Sequence, residues 1–263
     1  MAAIHPTAVI EDGAQIAENV TVGAFAYIGP QVKIGEGSTV ASHAVIEGDT
    51  TIGKSNRIFP HAAVGTIPQD LKYDGEPVQL IIGDNNIIRE FTLLNPGTKG
   101  GGSVTKIGNN NLLMGYVHLG HDVIMGDNCI LANGATLAGH VELGNHVVIG
   151  GLTPVHQFVH IGDYAMIGGA SALAQDIPPF CLAEGNRAVL RGLNLTGLRR
   201  KIDREEINAL KVAYRELFEQ GQPLQEVAQR LFEESDSEKV KQLCKFIKTS
   251  KRGIPFVRKE TQS

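Results

Sequence analysis

The stretch that decides the fold is residues 107–173, IGNNNLLMGYVHLGHDVIMGDNCILANGATLAGHVELGNHVVIGGLTPVHQFVHIGDYAMIGGASAL. An aliphatic side chain occupies every sixth position of this stretch, from Ile107 to Leu173, without a miss. A period of six fits neither an α-helix, which repeats at about 3.6, nor an ordinary strand, which repeats at about 2. It is typical of a hexapeptide-repeat β-helix, in which three segments form one triangular coil and the sixth-position side chains fill the axis.

The same period runs through residues 4–64 and 82–94. Two segments interrupt it, residues 66–80 and 95–106, and we predict that both are loops outside the prism. Long loops in a compact fold are usually functional. Glycine follows many of the sixth positions, as at Gly23, and this predicts tight corners at which glycine takes a positive φ.

The hexapeptide period ends after Pro179, and a helical pattern begins at about Asn194. A capping-box motif at Asp203 marks the start of a helix. We therefore predict a mainly β protein, a left-handed parallel β-helix of hexapeptide repeats with a C-terminal α-helical cap that covers its open last rung. Residues 1–190 would form the β-helix with its two loops, and residues 191–263 would form the helical domain.

The charge and the cysteines of the chain exclude some classes of function and indicate its compartment. The net charge of −4 excludes a generally basic nucleic-acid binder, although residues 191–263 carry a net charge of +5 and would hold any basic docking surface. The three cysteines have neither metal-ligand nor disulfide spacing, so we expect buried, reduced thiols. No signal peptide is recognisable, and no segment has the roughly 18 apolar residues that a membrane span needs. These features predict a cytoplasmic protein.

Residues eighteen apart stack in such a prism. His121 therefore lies beneath Gly139, with His140 and His156 on the same edge. Histidine titrates near neutrality and suits a general base, and a neighbouring carboxylate such as Asp122 would orient it. The backbone N–H of Gly139 could receive an oxyanion. The sequence therefore predicts an active site on this edge.

Five motifs in and around this site carry a resemblance: NLLMGYVHLGHD at 111–122, ILANGATLAGHVELG at 130–144, GGLTPVHQF at 150–158, QDLKY at 69–73, and N-x-x-G-L-x-R at 194–200. At these motifs the chain resembles the acyl-carrier-protein-dependent UDP-N-acetylglucosamine O-acyltransferases, which begin lipid A biosynthesis in Gram-negative bacteria. The resemblance covers essentially the whole chain. It implies transfer of a fatty acyl group, expected to be 3-hydroxylated, to the 3-position of the sugar.

The resemblance also implies residue roles. Those that take part in the chemistry would be His121 as general base, Asp122 as its orienting partner and the Gly139 amide as oxyanion donor. Those that bind substrate would be His118, His140, His156 and Gln157 in the cleft, Asp70 and Lys72 at the sugar, Asn194 and Arg200 at the nucleotide, and Gly169 as a ruler for the acyl chain. The family implies acyl carrier protein as donor, a UDP-sugar as acceptor, and a homotrimer with active sites between prisms. It implies no cofactor and no metal.

Three alternatives stay open at this point. Asn95 stands where the family often has histidine, and Thr196 stands where it often has glutamate, so the acylated group could be a 3-hydroxyl or a 3-amino group. A zinc enzyme resembling the γ-type carbonic anhydrases is a second alternative, with ligands from the HLGHD motif and from His140 or His156. The third is a non-catalytic scaffold whose loops bind a partner.

Overall fold

The computed structural model describes residues 1–257, and the part of the chain before the C-terminal helices forms a triangular prism of stacked coils. Each coil contributes one short strand to each of three parallel sheets. The fold is the predicted left-handed parallel β-helix with C-terminal helices. Residues 258–263, the end of the predicted helical domain, lie outside the described residues.

The strands are numbered in chain order and stack in three sheets. The first sheet holds β1 Ala3–Ile4, β4 Thr21–Val22, β7 Thr39–Val40, β10 Arg57–Ile58, β13 Ile87–Ile88, β16 Leu112–Leu113, β19 Ile130–Leu131, β22 Val148–Ile149, β25 Met166–Ile167, β26 Cys181–Glu184 and β27 Val189–Leu193. The second holds β2 Val9–Ile10, β5 Tyr27–Ile28, β8 Val45–Ile46, β11 Ala63–Val64, β14 Leu93–Leu94, β17 His118–Leu119, β20 Thr136–Leu137 and β23 Pro154–Val155. The third holds β3 Gln15–Ile16, β6 Lys33–Ile34, β9 Asp49–Ile52, β12 Gln79–Ile82, β15 Val104–Ile107, β18 Ile124–Met125, β21 Glu142–Leu143 and β24 His160–Ile161.

The core is the column of sixth-position side chains along the prism axis. From Val22 to Leu173 these side chains are buried, as predicted. Each fully buried aliphatic side chain contributes about 1.5–3 kcal/mol to folding. The exceptions are Ile4, which is 44% exposed, and Ile10 and Ile16, which are partly buried, because the first coil has no coil beneath it.

The role predicted for the corner glycines is confirmed at Gly65, which takes a φ of 81°, and is wrong at Gly23. Gly23 has an ordinary φ, and the left-handed conformation is taken by Phe25 two residues later, at φ 57°. Glycine is required at position 23 because the coils approach closely there: a Cβ would lie 2.7 Å from the backbone nitrogen of Ser42.

Both loops are shorter than predicted. Residues 79–80 belong to β12, and residues 104–106 belong to β15. The reason is cross-strand pairing, since β9, β12 and β15 are four-residue strands that pair in register. The loops therefore span residues 66–78 and 95–103, and the second contains a short 3-10 helix, Lys99–Gly101.

Four helices follow the prism: α1 Leu195–Leu198, α2 Arg204–Phe218, α3 Leu224–Glu234 and α4 Glu238–Thr249. Helix α2 begins where predicted, although the Asp203 side chain makes no capping hydrogen bond. The open edge of the first sheet is covered by a strand as well as by helices, because β27 pairs antiparallel with β26. Within residues 1–257, no helix has the length and apolar character needed to cross a bilayer. The three cysteines are buried and unpaired, as expected.

Candidate active site

Three aromatic rings that contact one another in sequence lie on the edge between the second and third sheets. His121 follows β17, His140 follows β20 and Phe158 follows β23, so they occupy successive coils. The ring centroids of His121 and His140 are 4.9 Å apart, edge to face, and those of His140 and Phe158 are 4.5 Å apart and stacked. We call these three residues the histidine edge. Phe158 was missed from the sequence, although it lies eighteen residues after His140 and the stacking rule could have identified it.

His121 and Asp122 form a hydrogen-bonded pair on this edge. The Nδ1 atom of His121 lies 2.9 Å from the Asp122 Oδ2 atom. An ionised carboxylate only accepts hydrogen bonds, so Nδ1 carries the proton and Nε2 keeps the lone pair. The Asp122 side chain is 1% exposed and that of His121 is 13% exposed. The imidazole therefore has the orientation that a general base needs, with Asp122 as the acceptor of its Nδ1–H.

Gly139 lies in contact with the His121 ring. A Cβ at Gly139 would lie 2.5 Å from Nε2 of His121, so the imidazole occupies the space that any side chain would fill. The Gly139 carbonyl accepts from the Phe158 N–H at 3.2 Å, whereas its own N–H donates to no protein acceptor among residues 1–257. The residue that contacts the imidazole therefore has a backbone N–H without a protein acceptor in the described chain.

Thr98 was not predicted and makes the largest number of contacts to Asp122. Its N–H lies 3.0 Å from each carboxylate oxygen, and its hydroxyl lies 2.7 Å from Oδ2. The Asp122 N–H donates to the Thr105 hydroxyl at 2.8 Å. Nothing in the repeat indicates these contacts, because Thr98 lies in the loop that interrupts it.

The two loops enclose a cleft beside the histidine edge. Its volume is about 800 Å³, and Asp70 and Lys72, the residues assigned to the sugar, line it. His140 and Phe158 form the prism side of this loop cleft. The remaining lining residues come from the loops: Asp74, Gly75, Glu76, Thr98, Lys99 and Gly100. A mixed set of carboxylates and ammonium groups suits a polar ligand with many hydroxyl groups.

Two histidines next to His121 are shifted towards their neutral forms. Burial lowers the pKa of His140; Asp122 opposes the shift and the charge of His121 adds to it. Burial also lowers the pKa of His118, with a backbone hydrogen bond to Leu93 opposing it. The Nδ1 atom of His118 is buried without a partner in the described chain. Neither ring is therefore expected to add a positive charge beside His121 at neutral pH.

The other predicted substrate residues on this side are exposed. His156 and Gln157 lie next to Phe158, with the His156 Nδ1 atom 3.1 Å from the Gln157 carbonyl oxygen. Gly169 lies elsewhere, on the edge between the first and second sheets, after β25. From the sequence alone, a column of small residues eighteen apart predicts a trough beside the catalytic column: Gly115, Asn133, Gly151 and Gly169. This placement is wrong for a single chain. Gly115 in that column precedes His121 by six residues, so the repeat itself separates them by one face.

Asn194 and Arg200 do not line the loop cleft of one chain. Asn194 is 6% exposed, and its side-chain amide has two structural partners. Its Oδ1 accepts from the Gly197 N–H at 3.1 Å as the cap of α1, and its Nδ2 donates to the Tyr164 carbonyl at 2.9 Å. Arg200 is exposed just after α1.

Asn95 and Thr196 are the two residues whose departure from the family pattern leaves the acylated group undecided between a 3-hydroxyl and a 3-amino group. Neither residue lines the loop cleft. Asn95 is 1% exposed, and its Nδ2 donates to the carbonyls of Thr66 and Ile67, both at 3.0 Å. It joins the two loops to each other. Thr196 lies exposed on α1. Neither side chain is placed to distinguish a hydroxyl from an amine at the loop cleft of its own chain.

His121, Asp122 and His140 could in principle hold a metal ion, since one ligand atom from each lies within 4.8 Å of the others. Hydrogen bonding accounts for the same arrangement. Oδ2 of Asp122 accepts from the Thr98 hydroxyl and from His121, and Nδ1 of His140 lies 4.0 Å from it. The donor set differs from the three histidines expected of a carbonic-anhydrase-like site.

Family models match two parts of the chain. The model described as UDP N-acetylglucosamine O-acyltransferase, domain 2, matches residues 176–255. The model described as bacterial transferase hexapeptide (six repeats) matches residues 13–48 and 105–139. The two matches fall on the helical end and on the coils, respectively.

Known proteins are similar over nearly the full length. The acyl-[acyl-carrier-protein]–UDP-N-acetylglucosamine O-acyltransferase of Sulfurovum sp. (strain NBC37-1) is 84% identical over 98% of this chain and 100% of its own. The enzyme of the same name from Aliarcobacter butzleri is 67% identical over 97% and 99%. Among solved structures, the UDP-N-acetylglucosamine acyltransferase from Campylobacter jejuni has a TM-score of 0.94 at 52% identity, covering 97% of this chain and 100% of its own.

Proposed function

The chain belongs to the acyl-[acyl-carrier-protein]–UDP-N-acetylglucosamine O-acyltransferase family, and from this premise we propose how its residues carry out the reaction. It is an acyltransferase that uses an acyl carrier protein as donor and UDP-N-acetylglucosamine as acceptor, the first step of lipid A biosynthesis. The observation that carries the proposal is the His121–Asp122 pair in contact with Gly139.

His121 acts as the general base. Its Nε2 atom removes the proton from the sugar 3-hydroxyl, and the resulting oxygen attacks the carbonyl carbon of the carrier-bound thioester. The Gly139 N–H donates to the oxyanion of the tetrahedral intermediate. When the C–S bond breaks, the proton on Nε2 passes to the leaving thiolate of the carrier, so His121 returns to its neutral form. Asp122 stabilises the imidazolium between the two steps.

Asp70 and Lys72 hold the sugar in the loop cleft, where His140 joins them to the catalytic pair. His118, His156 and Gln157 complete the substrate surface around this edge. Asn194 and Arg200 hold the nucleotide whose sugar is bound by the neighbouring subunit. Asn194 contributes indirectly, because its side chain caps the start of α1. Gly169 bounds the far end of the acyl groove.

The active enzyme is a homotrimer whose sites lie between prisms. Gly169 and His121 lie on different edges of one chain, so both can contact one acyl chain only if they come from neighbouring copies. The edge that bears Gly169 also carries a ladder of exposed, stacked rings. Its members are Phe25, His43, His61, Phe91 and Tyr116, with exposed Leu152 two coils further on. Exposed apolar side chains in one row are typical of an interface.

We also propose a cytoplasmic location. Support comes from the three buried, unpaired thiols, because a reducing compartment keeps cysteines in this state. Burial raises the pKa of the Cys129 thiol to about 12, which keeps it protonated and unreactive.

Product analysis tests the proposed reaction. The purified trimer is incubated with a mixture of acyl-carrier donors, both with and without a 3-hydroxyl on the chain, and with UDP-N-acetylglucosamine and its 3-amino counterpart. Mass spectrometry should find a 3-O-acylated UDP-N-acetylglucosamine. Exclusive acylation of the 3-amino sugar would contradict the acceptor, and no acyl product from any donor would contradict the reaction.

Carrier docking should depend on salt. We propose that the acidic carrier binds the basic surface near α1 and α4, which includes exposed Arg200, Lys201 and Lys245. We expect kcat/KM for the acyl-carrier donor to fall as ionic strength rises, and to fall in a Lys201→Glu/Lys245→Glu variant, because steered association is screened by salt. Steady-state kinetics at several salt concentrations measure both.

The exposed Lys33, on the strand β6 far along the prism, provides the matched charge reversal, Lys33→Glu. This control should behave as wild type. A salt-independent kcat/KM, or equal losses in the control and the double variant, would place the docking surface elsewhere.

Chain-length selection should respond to Gly169. A Cβ there would meet only the Gly151 backbone, at 3.5 Å, so a side chain fits without strain and extends into solvent space. Each methylene of the acyl chain that can no longer be buried in the groove costs about 0.8 kcal/mol, which lowers kcat/KM for that donor roughly fourfold. We expect Gly169→Met to shift the preference to a donor several carbons shorter without loss of activity on that donor, as measured by competition between donors of different length. Gly169→Ala should give a smaller shift in the same direction, and an unchanged preference in a folded Gly169→Met trimer would contradict the ruler.

A further inference from the structure

We propose that Thr98 is a positioning residue of the catalytic pair, which holds the Asp122 carboxylate so that its Oδ2 faces His121. This inference rests on the proposed role of His121 as general base. Thr98 supplies three contacts to one carboxylate: its N–H lies 3.0 Å from both oxygens, and its hydroxyl lies 2.7 Å from Oδ2. A hydroxyl 2.7 Å from a carboxylate oxygen has the length of a charge-assisted hydrogen bond.

The hydroxyl and the imidazole share one oxygen. Oδ2 of Asp122 accepts from Thr98 Oγ1 and from His121 Nδ1, the latter at 2.9 Å. The position of that oxygen and the strength with which it accepts therefore depend on both donors. Thr98 thus acts on the base through Asp122 and need not touch substrate.

Within the described chain, the buried carboxylate of Asp122 is stabilised by hydrogen bonds and not by a neighbouring lysine or arginine. The Asp122 side chain is 1% exposed, and within residues 1–257 no lysine or arginine nitrogen lies within 4.0 Å of its carboxylate. A buried carboxylate is costly unless hydrogen bonds replace water. Besides His121, Thr98 supplies these donors.

The loop around Thr98 is shaped for this contact. The Thr98 carbonyl accepts from the N–H groups of Gly101 and Ser103, both at 2.9 Å, which closes the turn. A Cβ at Gly101 would overlap the Asp122 carboxylate, so the turn can lie against it only with glycine there. Asn95 then ties this loop to the loop that carries Asp70 and Lys72. The sugar-holding loop and the catalytic pair are joined through Thr98 by a continuous set of contacts.

Thr98→Val tests the role of the hydroxyl, because valine keeps the shape and the backbone N–H. We expect kcat to fall roughly 10- to 100-fold, the effect of losing one hydrogen bond to a charged group. We also expect the pH at which kcat/KM is half-maximal to rise, because an Oδ2 with one donor fewer holds a protonated His121 ring more strongly. The other titratable groups that face this pair are His118 and His140, with Asp70 further out, and the substitution leaves all three in place.

Thr98→Ser is the matched control, since it keeps the hydroxyl and should restore both kcat and the pH profile. The melting temperature of each variant is measured alongside. A fall in kcat with no change in the pH profile, or a failure of serine to restore it, would overturn the proposal and leave His121 as base. High activity of His121→Ala would instead remove the proposed role of His121 as general base, whatever Thr98→Val shows.

Discussion

His121→Ala is expected to lower kcat by roughly 10²–10⁴-fold and to leave the trimer folded. The loss is large because the variant has no group at the position of Nε2 to remove the proton from the sugar hydroxyl. The fold should survive because His121 lies on an outer edge of the prism and not in its axis. The contacts of Asp122 with Thr98 do not involve the imidazole, so we expect them to remain in the variant. Steady-state kinetics with the acyl-carrier donor and size-exclusion chromatography give the two readouts.

His146→Ala is the matched histidine control. His146 lies on the edge between the third and first sheets, stacked on Tyr164 with ring centroids 4.5 Å apart, and it has no place in the proposed site. We expect this variant to keep the activity of the wild type. A loss below tenfold in His121→Ala, or a trimer that no longer forms, would remove the assignment of His121.

Gly139→Ala is expected to lower kcat by about 10²-fold, although it adds only one methyl group. The new Cβ would lie 2.5 Å from Nε2 of His121, so the ring must move away from Asp122 and from the acceptor. A displacement of about 1 Å in a catalytic group can cost this much. Gly139 has an ordinary φ, so alanine adds no backbone strain, and the peptide N–H is retained. Rate measurements at saturating substrate and a melting curve test the expectation.

The double variant Gly139→Ala/His121→Ala separates two explanations. If the methyl acts by displacing the imidazole, the double variant should be no slower than His121→Ala alone, because the displaced group is already gone. Losses that multiply would mean that Gly139 acts independently of His121, and a Gly139→Ala enzyme with wild-type kcat would contradict the contact itself.

The sequence predicted the parts of the molecule that obey the six-residue repeat. Because each coil constrains the next, the spacing of His121 and His140 was enough to place them one rung apart on one edge. The helices were predictable for the same kind of reason, since apolar residues at helical spacing identify a buried face. The same rule places Phe158 one coil above His140, and this consequence was overlooked.

Features that depend on loops or on close approach were not predictable. Thr98 is 24 residues from Asp122 in a segment without a repeat, so no periodic rule relates them. Gly23 was assigned to a left-handed corner, whereas the approach of Ser42 in the next coil is what excludes a side chain. The exposure of Ile4 follows from its position at the end of the stack, which a periodic pattern does not mark. Gly169 and His121 lie on two different edges of one chain. Their proposed roles in one site can be understood only when neighbouring copies of the chain are considered together.

The pH dependence of kcat/KM in the wild type and in His121→Ala tests the central claim most directly. A histidine that must be neutral to act produces an acid limb in the range where histidine titrates, with kcat/KM falling about tenfold per pH unit below it. We predict that the wild type shows this limb and that the residual activity of His121→Ala is flat across the same range. An acid limb that persists unchanged in His121→Ala would contradict the account, because another group would then be the base.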